Sequence, residues 1–175
     1  MDFAVYYDNQ RKLIENFLET RMAKKGISKV DDAMVYSLLA GGKRIRPVLL
    51  MATAEALGKK GYNYLPVACG LEMIHTYSLI HDDLPCMDDD DYRRGRLTNH
   101  KVFGEATALL AGDSLSVRAF EVIANNTALN SKTNLNAVRF LAQAVSSEGM
   151  IGGQIIDMRG ETETLGFDTL LKLHS

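Results

Sequence analysis

The chain has 175 residues, 46% hydrophobic and 24% charged, which is the composition of a folded globular protein and not of a disordered one. Twenty basic against 22 acidic residues leave a net charge of −2, which argues against a nucleic-acid binder. No apolar run approaches the roughly 18–20 residues that span a bilayer, the N-terminus lacks a signal peptide's basic-then-apolar order, and Cys69 and Cys86 suit neither a disulfide framework nor a zinc site, so a reducing cytoplasm is the expected home.

In chain order the apolar spacing is helical. Phe3, Tyr6, Leu13, Ile14, Phe17, Leu18 and Met22 step by threes and fours into one stripe, and Lys24-Lys25-Gly26 is expected to close that helix. Asp31-Asp32 are expected to cap the next one, which carries Met34, Val35, Leu38 and Leu39 and stops at Gly41-Gly42. Pro47 suits the first turn of a third, Val48 to Leu57, ending at Gly58. Pro66 opens a fourth through Leu71, Ile74, Leu79 and Ile80. Longer stretches follow, Glu105 to about Leu129 and Asn134 to about Glu148, with a break over Gly149–Gly153. Thr164 to Ser175 begins another apolar pattern, inside which the chain stops. No window alternates with period two long enough to predict a strand. The expected fold is all-α, an antiparallel helical bundle with short connections.

The window Asp82-Asp83-Leu84-Pro85-Cys86-Met87-Asp88-Asp89-Asp90-Asp91 holds six aspartates in ten positions. An acidic run is ordinarily a solvated loop, but this one follows a strongly apolar helix. Pro85 ends that helix, so the carboxylates gather at its C-terminus, where the macrodipole disfavours negative charge by about 0.3–1 kcal/mol each. A cation is expected to offset this. Oxygen ligands without thiolates point to Mg²⁺, Mn²⁺ or Ca²⁺, and the aspartate spacing excludes an EF-hand. Arg93-Arg94-Gly95-Arg96 follow at once, and carboxylates with a metal beside paired guanidiniums suit a diphosphate. Plain Asp–Arg pairing at the surface is the competing explanation.

A second basic cluster lies upstream in Gly41-Gly42-Lys43-Arg44-Ile45-Arg46-Pro47. Its glycines admit an anion close to the backbone, and Lys43 and Arg46 supply charge, although the spacing is not that of a P-loop. His75 stands two helical turns before Asp82 on nearly the same face. Tyr77 and Ser78 fall about 6–7.5 Å back along the axis from Asp82, where they line a wall below a metal site. A packed core histidine and ordinary core packing are the bland alternatives.

Together these residues resemble the trans-polyprenyl diphosphate synthases, most closely the bacterial-type farnesyl diphosphate synthases. The blocks are Gly41 to Pro47, His75 to His100 with its Asp-Asp-x4-Asp core, and Gly152-Gly153-Gln154 with Asp157. The resemblance implies that Asp82 and Asp88, with Asp83 and Asp89 nearby, hold Mg²⁺, for which Mn²⁺ can substitute. It implies Arg93 on the allylic diphosphate, dimethylallyl or geranyl, and Lys43, Arg46, His75 and Arg94 on isopentenyl diphosphate, with Gln154 near the site. Tyr77 and Ser78 then help set product length, expected to be farnesyl, with geranylgeranyl as the alternative. A homodimer of the isoprenoid synthase fold is also implied.

The family carries a second aspartate-rich motif and a lysine further along, and neither is present. Residues 1–175 are therefore expected to be the N-terminal portion of a single all-α synthase domain, inactive or nearly so alone. The competing readings are a non-catalytic partner subunit and an unrelated Ca²⁺-binding acidic loop. A terpene cyclase has no need of the Gly41–Pro47 block.

Overall fold

The computed structural model describes residues 2–22 and 28–173, and these are mostly helical. They divide into two units, Met1–Asn134 and Leu135–Ser175. The first contains α1 (Phe3–Met22), α2 (Lys29–Leu38), α3 (Ile45–Ala56), a 3₁₀ turn at Gly61–Tyr64, α4 (Leu65–Asp82), α5 (Asn99–Phe103) and α6 (Glu105–Ala124). Between α4 and α5 lies an antiparallel pair, β1 (Tyr92–Arg93) and β2 (Arg96–Leu97), with Tyr92 opposite Leu97. Short as it is, this hairpin corrects the expectation of no strand. Two residues per strand are too few for an alternation to show.

The centre of the first unit is α4, buried on more than one face through Ala68, Cys69, Met73, Thr76, Tyr77 and Ile80. That is why its apolar residues fill more than one stripe. Its closest partner is α6. At Gly70 an added Cβ would press on Ile123 and on the Ala119 carbonyl, and at Gly112 it would fall against the His81 ring. Glycine at these two places lets the helices meet at backbone distance. Ile14 and Leu18 of α1, Leu38 of α2 and Met51 of α3 are fully buried around them. Each such side chain contributes about 1.5–3 kcal/mol. Burial pushes the Cys69 thiol up, so it stays an uncharged core residue.

The second unit contains most of α7 (Ser131–Val145), then α8 (Met150–Thr162) and α9 (Phe167–Leu173). The expected break over Gly149–Gly153 is instead a turn over residues 146–149. A Cβ on Gly149 or Gly152 would meet the carbonyls of Ala144 and Ser147, so both glycines serve this tight turn while α8 runs on through Gly152 and Gly153.

Other bounds shift for local reasons. Ser28, not Asp31 or Asp32, precedes α2, and both aspartates sit in its first turn, where carboxylates favour the helix N-terminus. A short α5 and Gly104 (φ 88°) precede α6, which ends at Ala124 instead of near Leu129. Lys24-Lys25-Gly26 lie outside the described residues. Among the described residues no helix is long and apolar enough to cross a membrane.

Candidate functional site

α4 carries most of the site residues. Glu72, His75, Tyr77, Ser78 and Asp82 all belong to it, and a 1.5 Å rise per residue sets His75 and Asp82 about 10 Å apart along the axis. Two loops close on that helix from either side, Gly41–Arg44 before α3 and the acidic segment with its hairpin after α4.

The upstream loop is fixed by Arg44. This residue is 3% exposed, in the left-handed region (φ 50°), and immediately precedes α3. Its guanidinium donates to Glu72 Oε1 at 2.8 Å and to the Leu38 carbonyl at 2.8 Å. One buried ion pair thus ties the loop to both α2 and α4. Lys43 and Arg46 flank Arg44 and are exposed. Arg46 Nη1 lies 3.4 Å from His75 Nε2. Lys43, Arg44, Arg46, Glu72, His75 and Arg94 line one pocket of about 240 Å³. The structure therefore brings together Lys43, Arg46, His75 and Arg94, from three separate segments.

Arg94 reaches this pocket because of its turn. It and Gly95 have φ of 56° and 76°, the signature of a tight hairpin turn that a side-chain-bearing residue rarely enters. Its guanidinium donates to the Gly41 carbonyl, and a Cβ on Gly42 would collide with it. Gly42 is thus required by the approach of Arg94. The hairpin is anchored to α2: Tyr36 donates to the Leu97 carbonyl at 2.8 Å, and the Arg96 guanidinium lies 4.3 Å from the Tyr36 ring centre. Buried Asn99 donates to the Ala33 carbonyl at 2.8 Å and to Ser37 Oγ at 2.7 Å.

Burial, followed by the charge of Arg46, holds the His75 ring below its ordinary pKa of 6.5. Burial and then the positive charge of Arg44 hold Arg94 below its ordinary value. The pocket is a cluster of confined cations short of negative charge, with Glu72 already bound to Arg44. A diphosphate group supplies that charge.

On the other side the acidic segment folds back on α4. The Asp88 N–H donates to the Asp82 carbonyl at 2.8 Å, and Met87 and Asp89 N–H groups both donate to the Leu84 carbonyl. This turn sets Asp88 beside Asp82. The Asp82 carboxyl is pushed up first by burial and then by the charge of Asp88. Half-buried Asp82 and exposed Asp88 offer hard oxygen ligands only, which fits Mg²⁺. Asp83 serves differently. It is 4% exposed and accepts from Arg93 Nε and Nη2, both at 2.7 Å. Arg93 also reaches Asp90 at 3.5 Å. The competing explanation of Asp–Arg pairing thus describes Asp83 and Arg93.

Tyr77 is buried with its ring edge-on to His81 at 5.4 Å, and its hydroxyl pKa is raised, chiefly by burial. Ser78 Oγ donates back to the His75 carbonyl. Gln154 and Asp157 lie on α8 in the second unit, Gln154 half-buried and Asp157 exposed. Sequence reasoning missed the supports: Arg44 and Glu72 for the pocket, Tyr36, Thr98 and Asn99 for the hairpin. The available signal was a lone acid, Glu72, inside the most apolar helix.

Residues 27–175 match the Polyprenyl synthetase family. The chain is 54% identical over 147 residues to the farnesyl diphosphate synthase of Micrococcus luteus, covering 84% of this chain and 50% of that protein. It is 50% identical over 172 residues to the farnesyl diphosphate synthase of Geobacillus stearothermophilus, covering 97% and 58%. Among solved structures it is similar to an apo FPP/GFPP synthase from Zymomonas mobilis, with TM-score 0.87, 37% identity, and coverage of 98% of this chain and 65% of that one. The chain thus spans about half to three-fifths of the length of these curated relatives. With that match extending over both loops and the helix between them, the chain belongs to the polyprenyl synthetase family.

Proposed function

We propose that this chain provides the diphosphate-handling side of a prenyltransferase that joins isopentenyl diphosphate to an allylic diphosphate, dimethylallyl or geranyl, head to tail. The observation that carries this reading is the convergence of Lys43, Arg46, His75 and Arg94 on one pocket beside α4, the helix that ends at Asp82, with Asp88 in the turn that follows it. The pocket holds the diphosphate of isopentenyl diphosphate. Asp82 and Asp88 hold Mg²⁺, or Mn²⁺ in its place, with Asp89 a further candidate ligand. When bound, that ion neutralises the allylic diphosphate and makes it a better leaving group.

Arg93, held by Asp83, steadies the departing diphosphate. Buried Tyr77, with Ser78, forms part of the apolar wall that keeps water from the allylic cation and limits chain growth. The double bond of isopentenyl diphosphate supplies the electrons for the new bond, so no side-chain nucleophile is needed. The released diphosphate takes the proton. Farnesyl diphosphate is the proposed product, and geranylgeranyl diphosphate the alternative. The proposed working form is a cytoplasmic homodimer, supported by the exposed Leu109, Leu110 and Val117 on α6, with Gln154 on the substrate side of the complete enzyme.

Calorimetric titration of the chain with isopentenyl diphosphate tests this. Binding without metal is expected, weakened at least tenfold by Arg46→Ala, since a hydrogen bond to a charged group contributes about 1.5–3 kcal/mol. Asp82→Ala should leave it intact and remove the Mg²⁺-dependent binding of an allylic analogue. Equal affinity of Arg46→Ala and the parent chain overturns the assignment.

A further inference from the structure

Neither the Arg44–Glu72 pair nor the Arg94 contact fixes the peptide unit that joins Lys43 to Arg44. Arg44 is held through its guanidinium, at the end of a long side chain, and Arg94 donates to the Gly41 carbonyl two residues upstream. The oxygen of the peptide unit in question, the Lys43 carbonyl, accepts from the hydroxyl of Tyr7, 36 positions earlier in the chain. Lys43 and Arg44 line the anion pocket and Tyr7 does not, so α1 holds this loop from outside the pocket.

Tyr7 is firmly mounted. It stands two turns before Ile14 and three before Leu18 on one face of α1, and both of these are fully buried. The loop it reaches is not rigid by itself. Gly41 and Gly42 have φ of 80° and 149°, and without a Cβ each has a wide range of conformations open to it. Arg44 lies in the left-handed region (φ 50°), which is disfavoured for an L-residue. A paired rotation about Lys43 ψ and Arg44 φ turns the planar unit between them, leaves both Cα atoms in place and returns Arg44 to negative φ. The Lys43 carbonyl oxygen swings through that rotation, so a donor seated on it opposes the turn. Such backbone persists only where its surroundings over-determine it, and the Tyr7 hydroxyl is a constraint of that kind.

We propose that Tyr7 is a positioning residue of the anion pocket: its hydroxyl holds the Lys43–Arg44 peptide, and with it the backbone from which Lys43 presents its ammonium. This rests on the reading of that pocket as the isopentenyl diphosphate site. Lys43 is the pocket cation that needs such support. Arg46 belongs to α3 and His75 to α4, so helical backbone sets where they start, and Arg94 sits in the turn of a hydrogen-bonded hairpin. Lys43 is exposed, belongs to no helix or strand and follows two glycines. Ordering it before the anion arrives removes part of the entropy loss on binding. Tyr7→Phe keeps the ring beside Phe3, 6.1 Å away between centroids, and deletes only the hydroxyl.

The test is calorimetric titration of the purified 175-residue chain with inorganic pyrophosphate, in the parent, Tyr7→Phe, Lys43→Ala and the double variant. Tyr7→Phe is expected to weaken pyrophosphate about three- to tenfold, the contribution of one net hydrogen bond. In the Lys43→Ala background the same change is expected to alter affinity by less than about twofold, because the ammonium that Tyr7 positions is gone, whereas a general loosening of the fold would repeat the full loss. Carbon NMR supplies a signature of the bond itself: in Tyr7→Phe the Lys43 carbonyl resonance should move while that of Leu38, capped by Arg44, stays. The proposal is overturned by a Tyr7→Phe affinity within about twofold of the parent, by losses that multiply in the double variant, or by an unmoved Lys43 carbonyl resonance. Each of those results leaves the reading of the pocket standing. A parent chain that does not bind pyrophosphate overturns that reading, and the role of Tyr7 with it.

Discussion

Replacing one partner of the Arg44–Glu72 ion pair at a time measures what the pair contributes to the site. Both side chains are almost fully buried, at 2% and 4% exposure. Glu72→Gln keeps the shape and a hydrogen-bond acceptor, but leaves the Arg44 charge without its counter-charge. Arg44→Met removes the donors to Glu72 and to the Leu38 carbonyl and leaves a buried carboxylate. Breaking a buried pair from one side costs about 3–5 kcal/mol, a large part of the roughly 5–15 kcal/mol that holds a domain together. Replacing both by apolar residues of similar volume removes both uncompensated charges, so Arg44→Met with Glu72→Leu should recover most of the loss. Urea unfolding followed by far-ultraviolet circular dichroism reads all three variants. Isopentenyl diphosphate titration of the double variant then separates stability from positioning. The stable double variant should bind poorly, because the loop bearing Lys43 and Arg46 has lost its tie to α4. Single-variant losses under about 1 kcal/mol, or a double variant equal to the sum of the singles, refute the reasoning.

His75 gives a pH signature. Its folded-state pKa is depressed below 6.5, so its contribution to stability is complete above that value and declines as pH falls towards the folded pKa, where the unfolded chain binds the extra proton. A bound diphosphate favours the charged ring. Pyrophosphate binding near pH 6 should therefore take up protons, read as a dependence of calorimetric heat on buffer ionisation enthalpy, and proton release refutes it. Gly42→Ala sets a methyl against the Arg94 guanidinium, and should weaken pyrophosphate about tenfold in a competition titration while α-helical content stays constant. Asp82→Asn removes a carboxylate that burial and Asp88 disfavour. Above about pH 5 it should raise the chain's melting temperature slightly, on the order of 1 °C, while abolishing stabilisation by Mg²⁺ in the same thermal scan. For Tyr77→Ala, longer prenyl products on chromatography of an active preparation are expected, and an unchanged product length removes Tyr77 from the wall.

The helices were legible because their signals are local. The stripe from Phe3 to Met22, Pro47 in a first turn and the proline that ends α4 act over one or two turns and survive in the fold. The acidic window and the Gly41–Pro47 block were legible because their composition is unusual. What holds them was not. Arg44 reads as one more basic residue in a basic cluster, and only its burial against Glu72, 28 positions away, makes it structural. Asn99 and Tyr36 act across more than 60 positions on α2 and the hairpin, a distance that periodicity does not encode. Gly149 and Gly152 misled for the opposite reason. Glycine marks a turn, but which of several glycines sits in it depends on carbonyls that only the folded chain places.

Among the described residues, the only non-glycines with positive φ are Arg44, Asp89 and Arg94, and each borders the anion pocket or the acidic loop. An L-residue there is disfavoured by about 1–2 kcal/mol relative to ordinary geometry. At Asp89 and Arg94 a laboratory selection for heat resistance alone will accordingly drift towards Asn or Gly, accumulating sturdier but incompetent descendants, whereas the buried ion pair with Glu72 holds Arg44 in place. Libraries built on this scaffold should keep the three codons fixed and seek thermal gains elsewhere.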